Sequence, residues 1–263
     1  MTEKMTHAKM PFAVASKGYF MPILFLKQFA DGLLSLVYPN NCIVCKSPNT
    51  TTPLLVCASC QKTIAPNLPP FCVKCSRHLK NPNKNSWCPQ CQKTQPFFDQ
   101  AWAATRYTDS MKNLIHLFKY KNKTALQYLF SNIIISFIEN YHIDIKQFDF
   151  IVPIPLHPTK LRERQYNQTD LIAQNLSHKF HIPLSRNNLI RQKHTKTQAL
   201  LNEKERWTNT KDAFRIRHPS NFLEKSILIV DDLITTGATV CEATRILKQA
   251  QAKYIGILTL AIA

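Results

Sequence analysis

The sequence has no long run of apolar residues. A transmembrane helix needs roughly 18–20 uninterrupted apolar residues, and no segment reaches that length. Residues 11–26 are fairly apolar, but Lys17 interrupts them and no clean small-residue cleavage site follows. The sequence therefore predicts no integral membrane segment and no secretion signal. The expected location is the cytoplasm, with association at the inner membrane through partner proteins left open.

Acidic residues are scarce. Sixteen Asp and Glu stand against 34 Lys and Arg, which gives a formal net charge of +18. Such a charge attracts polyanions such as nucleic acid or anionic lipid, and it concentrates phosphorylated small molecules. Charge alone does not separate nucleic-acid binding from a generally basic composition. At 263 residues and 44% hydrophobic content, the chain exceeds one average domain and can build a sizeable core.

Eight of the nine cysteines form four C-x2-C pairs: Cys42 and Cys45, Cys57 and Cys60, Cys72 and Cys75, and Cys88 and Cys91. Each pair can present two thiolates to one metal, and two pairs complete a tetrahedral zinc site. The predicted cofactor is therefore two Zn²⁺ ions. Disulfides are the alternative, but the regular spacing without a secretion signal favours zinc. Sequential pairing is the simplest arrangement, a cross-braced one also fits, and Cys241 is predicted to be a core residue.

Three parts are predicted along the chain: an N-terminal extension (residues 1–37), a zinc-knuckle module (residues 38–98) and an α/β domain (residues 99–263). Near the end of the first part, residues 25–38 have the spacing of a short amphipathic helix. The stretch between the cysteines is poor in core-forming residues. Zinc is therefore expected to supply much of the folding free energy of the module.

The third part alternates strand and helix patterns. Strands are predicted at residues 101–107, 148–155, 227–230 and 254–262. Helices are predicted at residues 110–120 and 126–138, near residues 167–178, and after residue 239. This order predicts an α/β fold with a mostly parallel sheet and helices on both faces.

The most informative segment is residues 227–239, with the sequence ILIVDDLITTGAT. Its four apolar residues suit a buried parallel strand. Asp231 and Asp232 follow at the carboxyl end, where open α/β sheets bind ligands. Residues 235–239 can offer consecutive backbone N–H groups and three hydroxyls at a helix N-terminus, which favours a phosphate. The segment therefore predicts a sugar-phosphate site in which the carboxylates accept hydrogen bonds from ribose hydroxyls.

This segment resembles the motif with which type I phosphoribosyltransferases bind 5-phosphoribosyl-1-pyrophosphate (PRPP). The resemblance implies that Asp231 and Asp232 hold the ribose 2′- and 3′-hydroxyls and that PRPP binds together with Mg²⁺. It also implies a 5′-phosphate site formed by Thr235, Thr236, Gly237, Ala238 and Thr239.

The whole plan, zinc knuckles followed by such a domain, resembles the ComF (ComFC) family of bacterial competence proteins. The resemblance rests on Tyr38-Pro39-x2-Cys42, Leu114-Ile115-x2-Phe118-Lys119-Tyr120, Val152-Pro153-Ile154-Pro155-Leu156-His157, Leu161-Arg162-Glu163-Arg164-Gln165-Tyr166-Asn167-Gln168, Arg191-x3-Thr195-x2-Gln198 and Glu205-Arg206. One departure is Gln165, at a place where relatives usually carry a glycine after the arginine and a tight turn is expected. The family implies a role in handling single-stranded DNA and a DNA-translocating competence helicase as partner.

The transferase resemblance also implies a pyrophosphate site, and basic residues are candidates for it. Arg164 lies in the region that follows Val152, together with Lys160 and Arg162. Residues 186–217 hold nine Lys and Arg against three acids and suit a mobile basic loop. Arginine can grip a pyrophosphate through two parallel hydrogen bonds. The predicted pyrophosphate residues are Arg164, Arg191, Lys193 and Arg206.

A second substrate is not evident in the sequence. The chain ends at Ala263 directly after an apolar strand, so no C-terminal hood for a base is expected. His157 and His194 are candidates for a general acid or base only by their position, and catalytic residues stay unassigned. Three hypotheses follow: a competence factor that binds PRPP and single-stranded DNA, an active phosphoribosyltransferase with an unknown acceptor, and a protein-interaction scaffold with a relic PRPP site. Tyr166 and Trp207 are candidates for stacking on bases.

Overall fold

A computed structural model describes residues 41–48, 55–80, 87–193 and 202–263. The N-terminal extension and the helix predicted at residues 25–38 lie outside these residues. Residues from Cys42 to Ala263 form one compact unit. Within the described residues, no helix combines the length and apolar character that crossing a membrane requires.

The centre of the unit is a four-stranded parallel sheet. Its strands are β1 (Gln100–Arg106), β2 (Phe150–Pro153), β5 (Ser226–Ile234) and β6 (Tyr254–Ile262), in the order β1-β6-β5-β2. Every pairing between them is parallel. β5 and β6 are buried along most of their length because helices cover both faces, as their continuous apolar runs require. The predicted α/β fold with a mostly parallel sheet is confirmed.

Two short helices precede β1, and the other helices lie between strands. They are α1 (Ala58–Lys62), α2 (Pro89–Thr94), α3 (Asp109–Tyr120), α4 (Leu126–Asn140), α5 (Pro158–Arg164), α6 (Gln168–Phe180), α7 (Glu203–Thr210) and α8 (Ala238–Gln249). Short 3₁₀ turns lie at Ile145–Gln147 and Pro219–Phe222. In α3, the buried residues recur at helical spacing and are Met111, Leu114, Ile115 and Phe118. That face joins the core cluster that α4 and the sheet also form, which orients the remaining side chains of the last turn.

The basic segment at residues 186–217 contains more regular structure than the loop that its composition predicted. Strands β3 (Leu189–Arg191) and β4 (Phe214–Ile216) pair antiparallel within it, and α7 lies between them. Residues 194–201 lie outside the described part of the chain. A parallel bridge between Ile151 and Leu184 places the chain that leads into β3 beside β2. The hairpin therefore stands next to the β2 edge of the sheet.

The cysteine-bearing segments pack on the opposite edge, formed by β1. An isolated antiparallel bridge joins Pro66 to Thr105. The Asn67 backbone N–H donates to the Ala104 carbonyl at 3.0 Å, and the Arg106 N–H donates to the Ala65 carbonyl at 3.0 Å. The segment around Pro66 thus supplies partners to β1 backbone groups that face away from β6.

Candidate functional site

The eight paired cysteines meet in two clusters of four. The first holds Cys42, Cys45, Cys57 and Cys60, and the second holds Cys72, Cys75, Cys88 and Cys91. Within each cluster all sulfur atoms lie within 4.8 Å of one another. The pairing is therefore sequential, and the cross-braced alternative does not occur. Four thiolates in one tetrahedral-sized cluster suit Zn²⁺, so the prediction of two zinc sites is confirmed.

The two clusters are built alike. In each, the residue after the first C-x2-C pair has a left-handed backbone, Lys46 at φ 64° and Ser76 at φ 66°. A backbone N–H then donates to a cysteine sulfur, from Cys57 to Cys42 Sγ at 3.4 Å and from Cys88 to Cys72 Sγ at 3.2 Å. Such donors stabilise the thiolate form that binds metal. The clusters differ in burial, because all four cysteines of the second are buried and Cys45 of the first is exposed.

The second cluster belongs to the core of the α/β fold. Its four cysteines pack in one buried group with Val240 and Cys241 of α8 and with Ile262 of β6. Cys241 is a buried core residue, and burial raises the pKa of its thiol to about 12. The cysteines that would hold the second zinc therefore belong to the same buried cluster as core residues of α8.

The two predicted ribose-binding acids lie within β5 and not after it. The strand was predicted to end at Val230, but it continues to Ile234, and Asp231 pairs in register with Thr259 of β6. Asp231 and Asp232 are 8% and 6% exposed. The Asp232 backbone N–H donates to Asp231 Oδ1 at 2.8 Å. Both carboxylates therefore sit at the carboxyl edge of the central strands, where the fold places ligands.

One lysine from a distant element forms an ion pair with Asp232. Lys119 Nζ donates to Asp232 Oδ1 at 2.7 Å, with the lysine side chain 20% exposed. Burial and the neighbouring Asp232 raise the pKa of Asp231 to about 7, although Lys119 acts against the rise. A carboxyl whose pKa is displaced this far by desolvation and a like charge is typical of a functional site.

The predicted phosphate loop follows β5 directly. Gly237 has φ 83° and ψ 0°, a left-handed conformation that favours glycine, and it is the N-cap of α8. The Thr236 hydroxyl accepts a hydrogen bond from the Ala238 N–H at 3.4 Å. The loop carries Thr235 and Thr239 on either side of this turn, at the positive end of a 12-residue helix.

Arg77, from the second zinc cluster, supports this loop. Its Nη2 donates to the Thr235 carbonyl at 2.6 Å, and its Nε donates to the Ala263 carbonyl at 3.2 Å. Arg77 lies two residues after Cys75, and its own carbonyl accepts from the Cys72 N–H at 2.7 Å. A zinc-binding turn is thus joined by one side chain to the start of the phosphate loop.

Two basic residues, Lys119 and Arg191, interact with Asp231, and two more lie near these two. Burial lowers the pKa of Lys160, and the positive charges of Arg191 and Arg164 lower it further. Arg191 is partly buried, which lowers the pKa of its guanidinium, and the charge of Asp231 opposes that shift. Lys119, Lys160, Arg164 and Arg191 are therefore near enough to act on one another electrostatically.

Arg164 also joins two of the motifs singled out in the sequence. Its guanidinium lies 4.9 Å from the Tyr120 ring centroid, and Nη2 donates to the Tyr120 hydroxyl at 3.2 Å. Its Nη1 donates to Gln168 Oε1 at 3.0 Å. The next residue, Gln165, has φ 66° and ψ −8° and donates its N–H to the Leu161 carbonyl at 2.7 Å. The expected tight turn therefore forms without glycine.

Most of the remaining predicted site residues have contacts to parts of the chain other than the aspartate pair. Lys193 is exposed and donates from Nζ to the Lys211 carbonyl at 3.4 Å, and Arg206 lies on α7. His157 caps α5, with Nδ1 accepting from the Thr159 N–H at 3.3 Å, while His194 lies outside the described residues. Tyr166 donates its hydroxyl to the Phe118 carbonyl, and Trp207 packs partly buried on the core. Both aromatic residues considered for base stacking therefore have packing contacts.

Sequence reasoning missed Lys119 and Arg77 as site residues. Lys119 follows the buried residue Phe118 in the motif at residues 114–120. The sequence feature that could have identified it is a lysine directly after a core position. Nothing in the sequence around Arg77 indicates a contact with residue 235, which is 158 positions away.

Comparison with known proteins agrees with this architecture. A family model described as a double zinc ribbon domain matches residues 33–96, and one described as a phosphoribosyl transferase domain matches residues 171–262. Competence protein F of Haemophilus influenzae is 31% identical over 223 residues, covering 84% of this chain and 96% of that protein. The chain belongs to the ComF (ComFC) family.

Two further relatives support membership of the ComF family. Competence protein ComFC of Bacillus subtilis is 29% identical, covering 78% of this chain and 83% of that protein. The DNA utilization protein YhgH of Salmonella typhimurium is 26% identical, covering 81% of this chain and 92% of that protein. The ComF resemblance and the type I phosphoribosyltransferase-like fold, preceded by a four-cysteine zinc module, are therefore confirmed.

Proposed function

We propose that this ComF-family chain binds PRPP with Mg²⁺ and acts in the uptake and handling of single-stranded DNA during natural transformation. The buried pair Asp231 and Asp232, beside the N-terminus of α8, is the observation that carries the ligand assignment. The DNA role is supported by the names of the relatives, which refer to competence and DNA utilization, and by the net charge of +18.

The ribose would lie over the end of β5. Its 2′- and 3′-hydroxyls would donate hydrogen bonds to the carboxylates of Asp231 and Asp232. A bound ribose replaces the solvation that these carboxylates lose on burial, and it therefore favours the ionised form of Asp231. Since Lys119 already compensates one charge, the pair can be ionised without repelling an anionic ligand as strongly as two free acids would.

The 5′-phosphate would lie at the start of α8. Residues 235–239 provide backbone N–H groups at the positive end of the helix and three threonine hydroxyls. No side chain fills the space beside Gly237, where a Cβ would meet nothing within 4 Å. The loop therefore has both room and donors for a phosphate.

The pyrophosphate would be held by cations and Mg²⁺. Mg²⁺ usually binds one or two carboxylates together with substrate phosphates, which suits the aspartate pair. Arg164, Arg191, Lys160 and Lys119 supply the positive charge near it. Lys193 and Arg206 remain candidates that would approach through the segment connecting β3 and β4.

The zinc ribbons would provide a docking surface for a DNA-translocating helicase in the cytoplasm or at the inner membrane. Transfer of the phosphoribosyl group to an acceptor is the enzymatic alternative, and a scaffold with a relic site is the other. A scaffold has no use for two buried carboxylates whose charge is costly to desolvate, so the aspartate pair favours a working ligand site.

The test is calorimetric titration of the zinc-replete protein with PRPP and Mg²⁺. Wild type should bind, and the Asp231→Asn/Asp232→Asn variant should not, because amides cannot supply the same acceptors and charge for ribose and Mg²⁺. Asp144→Asn/Glu224→Gln is the matched control, since both acids are exposed and their replacement also removes two negative charges. The Asp231→Asn/Asp232→Asn variant should also fail to support natural transformation. Equal PRPP binding by wild type and the double variant, or normal transformation by the variant, would contradict the proposed site.

A further inference from the structure

We propose that single-stranded DNA binds in a groove between the end of β2, the turn joining α5 to α6, and the β3–β4 hairpin. This inference rests on the proposed DNA role and names its surface. The groove encloses about 680 Å³. It combines an apolar floor with an arginine rim, which is the chemistry that a strand of exposed bases and charged phosphates requires.

The rim is strongly basic. Among the described residues that line the groove, four are arginines and one is an acid, Asp170, which is already paired with Arg186 at 2.7 Å. Arg215 and Arg217 are exposed, and neither forms an ion pair with a carboxylate within the described ranges. The groove therefore presents positive charge that the protein itself leaves uncompensated.

One of these arginines lies on β4, and another follows its last residue. Arg215 lies opposite Ile190 in the hairpin, and the Arg217 N–H donates to the Asn188 carbonyl at 2.9 Å. The Asn188 side chain holds His218 at both its N–H and its carbonyl, at 2.8 Å and 3.0 Å. Residues two apart on a strand project to the same side, roughly 6–7 Å apart. The backbone positions of Arg215 and Arg217 are therefore fixed, and their exposed side chains can contact successive phosphates of an extended strand.

The floor is apolar and accessible. It includes leucine and proline side chains at Pro153, Pro155, Leu156, Leu161 and Leu171. Leu161 is 42% exposed, so its side chain is accessible to a ligand in the groove. Duplex DNA hides its bases inside the helix, so an apolar floor beside a phosphate-binding rim favours a single strand, whose bases are available for contact.

The groove adjoins the phosphoribosyl site. Arg191 lines the groove, and its charge interacts with that of Asp231. Its guanidinium lies 5.3 Å from the ring centroid of Phe214 on β4. A strand in the groove would therefore lie next to bound PRPP without using the aspartate pair.

The test measures binding of a fluorescent oligothymidylate across a range of salt concentrations. Arg215→Gln/Arg217→Gln should weaken binding at least tenfold at low salt. It should also make the slope of log affinity against log salt shallower by about 1.4, since each lost phosphate contact on a single strand removes about 0.7. Leu161→Gln should weaken binding without changing that slope, because it removes a contact to bases and no charge.

The matched control is Lys146→Gln/Lys253→Gln. Both lysines are exposed and precede β2 and β6, so they lie at the end of the sheet opposite the groove. Their replacement also removes two positive charges. This control should keep the wild-type slope. All variants should retain zinc and bind Mg²⁺-PRPP as wild type does, which verifies their folding. The conservative pair Arg215→Lys/Arg217→Lys should recover the slope.

The outcomes separate the two proposals. Wild-type affinity and slope in Arg215→Gln/Arg217→Gln, or an equal loss in the lysine control, would overturn the groove while leaving a DNA role in place. Absence of single-stranded DNA binding by wild type would overturn both the groove and the DNA role. PRPP binding and its dependence on Asp231 and Asp232 would be unaffected by either result.

Discussion

Replacing Asp231 with asparagine should stabilise the folded protein at pH 8 and have a much smaller effect at pH 5. An aspartate carboxyl in water ordinarily has a pKa of 3.8, and burial together with Asp232 raises the pKa of Asp231 to about 7 in the folded state. Between these values the unfolded chain has lost the proton and the folded protein still holds it. The free energy of unfolding therefore falls as the pH rises through this window, and the decrease is complete above about pH 7.

The size of the effect follows from the same shift. One pKa unit corresponds to about 1.4 kcal/mol, so the difference in pKa between the two states lowers the free energy of unfolding by about 4 kcal/mol at pH 8 and by roughly 2 kcal/mol at pH 5. Asparagine keeps an oxygen that can accept from the Asp232 N–H. Its unsatisfied amide costs about 1–3 kcal/mol, but this cost is independent of pH. The benefit of the substitution should therefore be about 2–3 kcal/mol larger at pH 8 than at pH 5.

Urea unfolding of both proteins at the two pH values measures this difference, with zinc retained and no Mg²⁺ added. Any effect of acid on the zinc thiolates is common to wild type and variant, so it cancels in the comparison. Asp144→Asn controls for the loss of one surface charge and should show no such dependence on pH. If Asp231→Asn changed the free energy of unfolding equally at pH 5 and pH 8, the carboxyl would be ionised throughout and the argument from burial would be refuted.

Two other predictions concern single residues outside the aspartate pair. Gln165→Gly should raise the free energy of unfolding by about 1 kcal/mol in the same urea assay, because Gln165 holds a left-handed φ of 66°. A lower free energy of unfolding would show that the Gln165 side chain stabilises the fold by more than its left-handed backbone destabilises it. Arg77→Ala should weaken PRPP binding about tenfold in calorimetry, the scale of one charged hydrogen bond, whereas Lys80→Ala, an exposed change on the same ribbon, should not. Unchanged affinity in Arg77→Ala would mean that the loop keeps its shape without the arginine.

Long, regular elements were predictable from the sequence. The last strand was predicted at residues 254–262 and is found at Tyr254–Ile262, and α3 begins one residue before its prediction. Their apolar periodicity extends over three turns of helix or nine residues of strand, which is enough to exceed the noise of local composition. Strands β3 and β4 have three residues each, too few for a period, and their segment was predicted as a loop from its charge and the transferase resemblance.

The candidate site was predictable where its residues are adjacent and not where they are distant. Asp231, Asp232 and the loop at residues 235–239 form one local motif, so the chain itself brings them together. Lys119 reaches the same place because α3 follows β1 and its packed face directs the last turn toward Asp232. Cysteine pairing was open for a similar reason: nearly equal spacings fit either arrangement, and only the folded chain decides between them.

The segment around Pro66 has a consequence for any attempt to divide this protein. It occupies the outer edge of β1, where it satisfies backbone groups of Ala104 and Arg106. A fragment beginning near residue 99 would lose this cover and expose an unpaired strand edge, which is a template for association with another copy. The zinc ribbons therefore act as a cap on the sheet in addition to holding metal. A boundary that is clear in the sequence would, in a truncated protein, become a site of aggregation.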